Sequence, residues 1–416
     1  MENRTSYREA LGIGPRQKAV FAFEFLSQPD ISITSNGGNI TRKTEKALPL
    51  AGEKDVLLVN QNVDRDYHKW LRSIDFGTDN IYEFNAPLGT PLTKLILDNS
   101  KSLKNYLDNI IGEKILIPNY SGNGEVRAAE SVGLELYGHS EEITKKFYDK
   151  GSFKRIAKEL GILVPEGTEY LPGDDLESLI RNNLKHTGKV LIKDPHASFG
   201  RGIHSIDESG IKDLVEQLPS NGKYVVEAEY VLDHEVNDQL LIDLDKKIHH
   251  IGTSYYKVDG RKSNGNEFPL ISSEELSRIQ ETSRKIAEIK RDLGYRGPFG
   301  IDYGVTPDGQ ALALEDNARV NGSLIAFAIY DKIGERMPEN AYFRNEFIKL
   351  KNPQRFSDFK NLSSDLLYDG KNRQVCLFPY DVTTICEDGN FRGVFAGRDK
   401  PEVDRFYNEF KSHFES

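Results

Sequence analysis

The chain has 416 residues, enough for two or three domains with full cores. Its 55 basic and 65 acidic side chains leave a net charge of −10, which argues against a nucleic-acid partner but leaves room for a nucleotide in one locally basic cleft. Two cysteines, Cys376 and Cys386, with no His or Cys cluster around them, argue against a disulfide framework or zinc site and fit a reducing cytoplasm.

Residues Met1 to Arg16 are polar and charged, so no signal peptide is expected, and no apolar run approaches the roughly 20 residues that span a bilayer. The expectation is a soluble, cytoplasmic protein. Residues 18–25 (Lys-Ala-Val-Phe-Ala-Phe-Glu-Phe) read as a first strand, followed by a long polar loop from Ser27 to Thr44. Asp55 to Asn60 is a near-continuous apolar run, as expected of a strand covered on both faces, and Ile81 to Phe84 and Lys114 to Pro118 give further short strands. Helical segments between them imply a parallel sheet, so residues 1–140 form a small α/β domain. Gly12-Ile13-Gly14 precedes its strand and lacks a third glycine, which excludes the dinucleotide fingerprint. A helix over Asn123 to Val132 opens at Ser121-Gly122-Asn123-Gly124, on the side where a cleft would lie.

Tyr148-Asp149-Lys150 leads into a helix bearing Lys154 and Lys158, stopped by Gly161, with Pro165 opening the next strand. The strand Lys189 to Lys193 ends in a lysine, and Ser198, Gly200 and Gly202 follow in a small-residue loop. Backbone N–H groups of such a loop close over phosphate oxygens, although the order, lysine before glycine, is not that of a Walker A loop. Tyr224 to Ala228 is a strand running through Glu229, Tyr230 and Val231 to Glu235; taken singly, Glu227 and Glu229 read equally well as a solvated acidic turn. Leu240 to Leu244 and Lys247 to Tyr255 belong to a second sheet. The polar loop from Lys257 to Phe268 offers Arg261 and Lys262 to a substrate carboxylate. Ser272 to Leu293 is an amphipathic helix with Leu276, Ile279, Ile286, Ile289 and Leu293 on one face, capped by Ser272 or Ser273 and ended by Gly294.

Residues 299–323 form a β-hairpin. Ile301, Tyr303 and Val305 alternate on one strand, Pro307-Asp308-Gly309 turns, and Ala311 to Leu314 return. Period-two geometry puts Glu315 and Asn317 on one face, and folding brings Asp302 beside them. Two carboxylates and an amide oxygen make a hard donor set with open positions, suited to Mg²⁺ or Mn²⁺ shared with substrate phosphates. The tail from Pro353 to Ser416 is charged and aromatic, with one strand at Gln374 to Pro379.

The Asp-x12-Glu-x-Asn spacing of Asp302, Glu315 and Asn317, followed by Arg319 and Asn321-Gly322, resembles the metal-binding end of the ATP-grasp superfamily. The elements ahead of it stand in that superfamily's order. The resemblance implies a Rossmann-like α/β domain at 1–140, a small lobe at 141–222, a large lobe with the Mg²⁺ site at 223–350 and a C-terminal extension at 351–416. It implies ATP as cofactor, with Lys150 (rather than Lys154) and Lys193 on its phosphates. Ser198, Gly200 and Gly202 would then belong to the flexible loop, Ala228 to Val231 to the adenine hinge, and Glu235 to the ribose contact.

Members similar to D-alanine–D-alanine ligase carry an arginine two residues before the first metal aspartate. Gly300 stands there, so Arg319, Arg296 and Asn321 are the candidates for the catalytic oxyanion and orienting roles. The activity implied is conversion of a small-molecule carboxylate to an acyl phosphate and its coupling to an amine, as in bacterial natural-product peptide ligases. One alternative is a carrier-protein thiol, as in the glutamylating ligase of butirosin biosynthesis; another is a nucleotide-binding protein without turnover. A homodimer is left open.

Overall fold

The computed structural model describes residues 5–14, 16–26, 43–196, 202–219, 221–259, 262–268, 273–336, 342–371 and 374–415, with backbone alone at 258, 259, 262 and 263. Three sheets organise it. The first is wholly parallel and holds β1 (Gln17–Ala22), β2 (Val56–Val59), β3 (Ile81–Glu83), β4 (Glu113–Pro118) and β5 (Glu135–Leu136) in the order β3-β2-β1-β4-β5. Both faces are covered, which is why β1 and β2 read as apolar runs. Val20, Ala22, Val56, Leu58 and Leu116 pack under helices Leu92–Asp98, Ser100–Asp108 and Asn123–Val132. Their neighbours Ala19, Phe21, Leu57 and Val59 point the other way, into the largest core.

A four-stranded antiparallel sheet follows: β6 (Gly167–Tyr170), β7 (Val190–Lys193), β8 (Ile203–Ile206) and β9 (Tyr224–Ala228), ordered β6-β9-β7-β8. Ile180, Val190, Ile192, Ile211 and Val226 form its core with helices Leu176–Thr187 and Ile211–Gln217.

The third sheet is antiparallel throughout, with eight strands. It contains β10 (His234–Ile242), β11 (Ile248–Asp259), β12 (Lys262–Phe268), β13 (Gly297–Val305), β14 (Ala311–Asn317), β15 (Tyr342–Lys349), β16 (Val375–Tyr380) and β17 (Asn390–Gly397). Their order is β14-β13-β10-β11-β12-β15-β17-β16, so β14 is an edge strand. The predicted tail strand is β16. It pairs with β17, which the sequence reading missed, and the two complete this sheet.

The helix Glu274–Asp292 is capped by Ser273, whose Oγ accepts from the Leu276 N–H at 3.1 Å, and Gly294 follows it at φ +92°. The helix Gly322–Gly334 is buried along Ser323 to Ile329. It lies in one continuous core with Phe21 and Val59 of the first sheet, Ile251 of the third and Phe356 and Phe378 of the tail. Gly252, at φ +155°, leaves room for it: a Cβ there would stand 2.6 Å from the Phe327 ring. Among the described residues no helix is long and apolar enough to cross a membrane.

Candidate active site

The hairpin of β13 and β14 sets Asp302 opposite Glu315 and Gly300 opposite Asn317, with a bulge between Asp302 and Tyr303 that re-aims the strand. On its other side Asp302 faces Asn237 of β10. Three donors converge on its carboxylate. The Asn317 amide reaches Oδ2 at 2.9 Å, the Tyr256 hydroxyl reaches Oδ1 at 3.1 Å, and the Asn237 amide also reaches Oδ1. Burial, and next the Glu315 charge, push the Asp302 carboxyl well above the usual carboxylate range. Burial opposes the Glu315 charge as well, but Lys150, whose Nζ lies 3.0 Å from Oε2, together with Lys193 and Arg319, holds it below its ordinary value.

A divalent cation between these two carboxylates would draw Asp302 back to the anion. The donors are hard oxygens, and a half-turn of the Asn317 amide presents its oxygen in place of its NH₂. Among the described residues no group of three or more His, Cys, Asp or Glu is placed to hold a metal, so this set of two carboxylates and an amide depends on other oxygens, such as phosphates, to complete it.

The four-stranded sheet and the helix Lys150–Glu159 bring the cations. Lys193 ends β7, and its ammonium pairs with Glu227 on neighbouring β9; Lys154 reaches the other oxygen of Glu227 at 2.5 Å and donates to the Pro165 carbonyl at 2.7 Å. Glu227 is 2% exposed. Burial disfavours its charge, but Lys193 and Lys154 outweigh that and hold it below the usual value. Burial likewise opposes the Lys193 charge, while Glu227, then Glu315 and Glu235, carry it above the ordinary lysine range. Glu235, beside Gly304 in the β10–β13 ladder, is raised by burial and by Glu315, with Lys193 opposing. Lys150, Lys193, Glu235, Asp302, Glu315 and Asn317 therefore share one electrostatic neighbourhood. Lys154 and Glu227 belong to it too. The sequence reading ranked the first below Lys150 and left the second undecided.

The remaining predicted residues divide. Ala228 is buried and its N–H donates to the Glu166 carbonyl at 2.7 Å; Glu229 accepts from the Ser205 hydroxyl; Tyr230 follows, and Val231 is 78% exposed. Gly202 sits at φ +62°, with its carbonyl accepting from the Asp194 N–H. Ser198, Gly200 and Arg261 lie outside the described residues, as does the side chain of Lys262. Arg319 stands over the Tyr148 ring at 5.0 Å, close enough to act on Glu315.

The other two catalytic candidates differ: the oxygen of Asn321 is engaged in a helix cap while its Nδ2 turns toward Gly300, and Arg296 is held away. Asn321 caps the helix Gly322–Gly334, its Oδ1 accepting from the Leu324 N–H at 3.1 Å. Arg296 precedes β13, and its guanidinium donates to the Tyr295 carbonyl at 2.7 Å. At roughly 3.4 Å per residue that is about 20 Å along the strand from Asp302, so the structure does not bring Arg296 to the cluster.

A Cβ on Gly300 would lie 2.2 Å from Gln239 Nε2, 2.6 Å from Asn321 Nδ2 and 2.9 Å from Asn237 Nδ2. Three amides fill the space that an arginine would need. Asn237, Gln239 and Tyr256 escaped the sequence reading because only strand pairing brings them to the hairpin.

No family model matches this chain. A curated relative, the butirosin acyl-carrier protein–L-glutamate ligase of Niallia circulans, is 25% identical over 139 residues, which span 32% of this chain and only 33% of that protein. Among solved structures, the biotin carboxylase domain dimer of the 2-oxoglutarate carboxylase of Hydrogenobacter thermophilus, in complex with MgADP, ADP and bicarbonate, matches at TM-score 0.61 and 16% identity, covering 96% of this chain and 90% of that one. Biotin carboxylase from Campylobacter jejuni, in a β,γ-ATP complex, gives 0.60 and 14% over 96% and 91%. The ADP complex of purK, N5-carboxyaminoimidazole ribonucleotide synthetase, gives 0.58 and 11% over 95% and 96%.

Proposed function

From the ATP-grasp fold that this chain shares with those structures, we propose that the protein is an ATP- and Mg²⁺-dependent ligase. It activates a small carboxylic acid as an acyl phosphate and couples it to an amine, releasing ADP and phosphate. One observation supports the reading: Asp302 and Asn317 stand beside Glu315, which pairs with Lys150 and lies within electrostatic reach of Lys193.

Phosphoryl transfer between anions needs cations fixed in place beforehand. Lys193 and Lys150 supply two, each held by a buried or half-buried glutamate until phosphates compete for it. Asp302, Glu315 and Asn317 would hold Mg²⁺, which would supply neutralisation of phosphate charge. A carboxylate oxygen of the acid attacks the γ-phosphorus and ADP leaves. The amine nitrogen then attacks the acyl carbon, phosphate leaves with the bonding pair, and the amine gives up a proton. The amides of Asn237, Gln239 and Asn321 against Gly300 offer neutral donors in place of an arginine. Coupling to a carrier-protein thiol is the second reading, supported by the activity in the Niallia circulans relative's name.

The test is acid-dependent ADP release with hydroxylamine as a generic nucleophile. Hydroxamate formation, lost in Glu315→Gln, supports the ligase. Replacing hydroxylamine by amines or by a carrier protein then chooses between amide and thioester. ATP binding without turnover on any acid overturns the ligase reading in favour of a nucleotide-binding protein.

A further inference from the structure

Glu315 and Asn317 sit on an edge strand, paired to β13 on one side only and next to a bulge. Asp302 lies directly across the ladder from Glu315, so the two carboxyl groups must be held at close quarters if both are to serve one cation. Something must fix how β14 presents these side chains before any cation arrives.

The residue between them does so from behind. Asp316 points to the opposite face of the strand, where its Oδ2 meets Lys290 Nζ at 2.5 Å; both side chains are fully buried. Lys290 comes from the last turn of the helix Glu274–Asp292. Its ammonium is surrounded by the rings of Phe299 at 4.1 Å, Tyr295 at 4.3 Å and Phe147 at 4.4 Å, within cation–π range. The cage joins three parts of the molecule: the helix Glu141–Tyr148, the approach to β13, and β13 itself. Stability alone does not call for this arrangement, because apolar residues of similar size usually replace a buried ion pair without loss.

We infer that Lys290 is a positioning residue for the metal site: through Asp316 it pins β14 so that Glu315 and Asn317 face Asp302 together. This rests on the assignment of Asp302, Glu315 and Asn317 as the metal set.

The test is a titration of Mn²⁺ into protein saturated with ADP, with free Mn²⁺ counted by electron paramagnetic resonance. It is run on the wild type, Glu315→Gln and the double variant Lys290→Met/Asp316→Leu, with thermal unfolding of each. The double variant is expected to keep a wild-type Tm within a few degrees and to bind Mn²⁺ about 10–100-fold more weakly, the usual loss when a group behind a metal ligand is removed. Wild-type affinity in the folded double variant overturns the inference and leaves the metal set standing. If the double variant does not fold, Asp316→Asn, which keeps the shape and one hydrogen bond, is read in its place. Weakened binding there supports the pin and unchanged binding overturns it. If the wild type binds no more Mn²⁺ than Glu315→Gln, the metal assignment fails and takes this inference with it.

Discussion

Glu227 shows how much one buried side chain arranges. Its two oxygens divide between Lys193 and Lys154, so removing either lysine leaves it paired, while removing its charge strands both. Glu227→Gln is therefore expected to cost about 3–5 kcal/mol in denaturant unfolding, the range for an uncompensated buried charge. Lys193→Met should leave the fold intact and weaken ADP binding about tenfold or more, as measured by calorimetry. Glu315→Gln should lower acid-dependent ADP release by about a hundredfold or more. Part of this was written in the sequence: Lys150 and Lys154 are one helical turn apart, on the same face, and both turn out to serve the cluster. What was not legible was the partner of Lys154. Glu227 lies 73 positions further on in an alternating strand where a buried and a solvated glutamate look alike.

At the scale of elements, the hairpin and the first four strands of the parallel sheet were readable because period-two alternation, apolar runs and turn residues are local signals. The face of the large sheet was not. Asn237 and Tyr256 fall outside the predicted strands Leu240 to Leu244 and Lys247 to Tyr255, and only the alignment of β10 and β11 beside β13 brings them to the site. Asn321 has a second role that the sequence analysis left out. An asparagine three positions before the apolar run Leu324 to Ile329 is also a helix-start signal. Asn321→Ala should cost about 1 kcal/mol of stability, and Asn321→Ser, which keeps a capping oxygen, far less. Full turnover in Asn321→Ser would confine the residue to capping. Gly252→Ala should cost about 1–3 kcal/mol, because the added carbon drives Phe327 and its helix off the sheet.

Among the buried titrating groups, two act on stability in opposite directions. His139 stacks on Tyr295 at 3.9 Å and meets the Arg296 carbonyl and the Thr144 hydroxyl, each at 2.8 Å. Burial holds it down to about 3. Its folded value lies below the unfolded one, so the stability it contributes is full above about 6.5 and is lost as pH falls toward 3. Glu45 links the N-terminal unit to the tail through Thr383, and burial pushes it up to about 8. Its contribution is full below about 4.5 and is lost as pH rises to 8. Between about 4.5 and 6.5 the two slopes oppose each other. Chemical denaturation across pH should show Glu45→Gln removing a decline of about 2 kcal/mol between pH 6.5 and 8. A limb unchanged in that variant would assign the decline to another group.

The Tyr67 hydroxyl donates to the Pro379 carbonyl at 3.1 Å across 312 positions, and Trp70 and Phe76 pack on Phe378 in the same core. A ribosome adds about 5–20 residues each second, so the α/β unit waits roughly 15–60 s after its own synthesis with that aromatic surface uncovered. For that interval the aromatic surface is open to chaperones and to other chains, and the strand carrying Phe378 is what closes it.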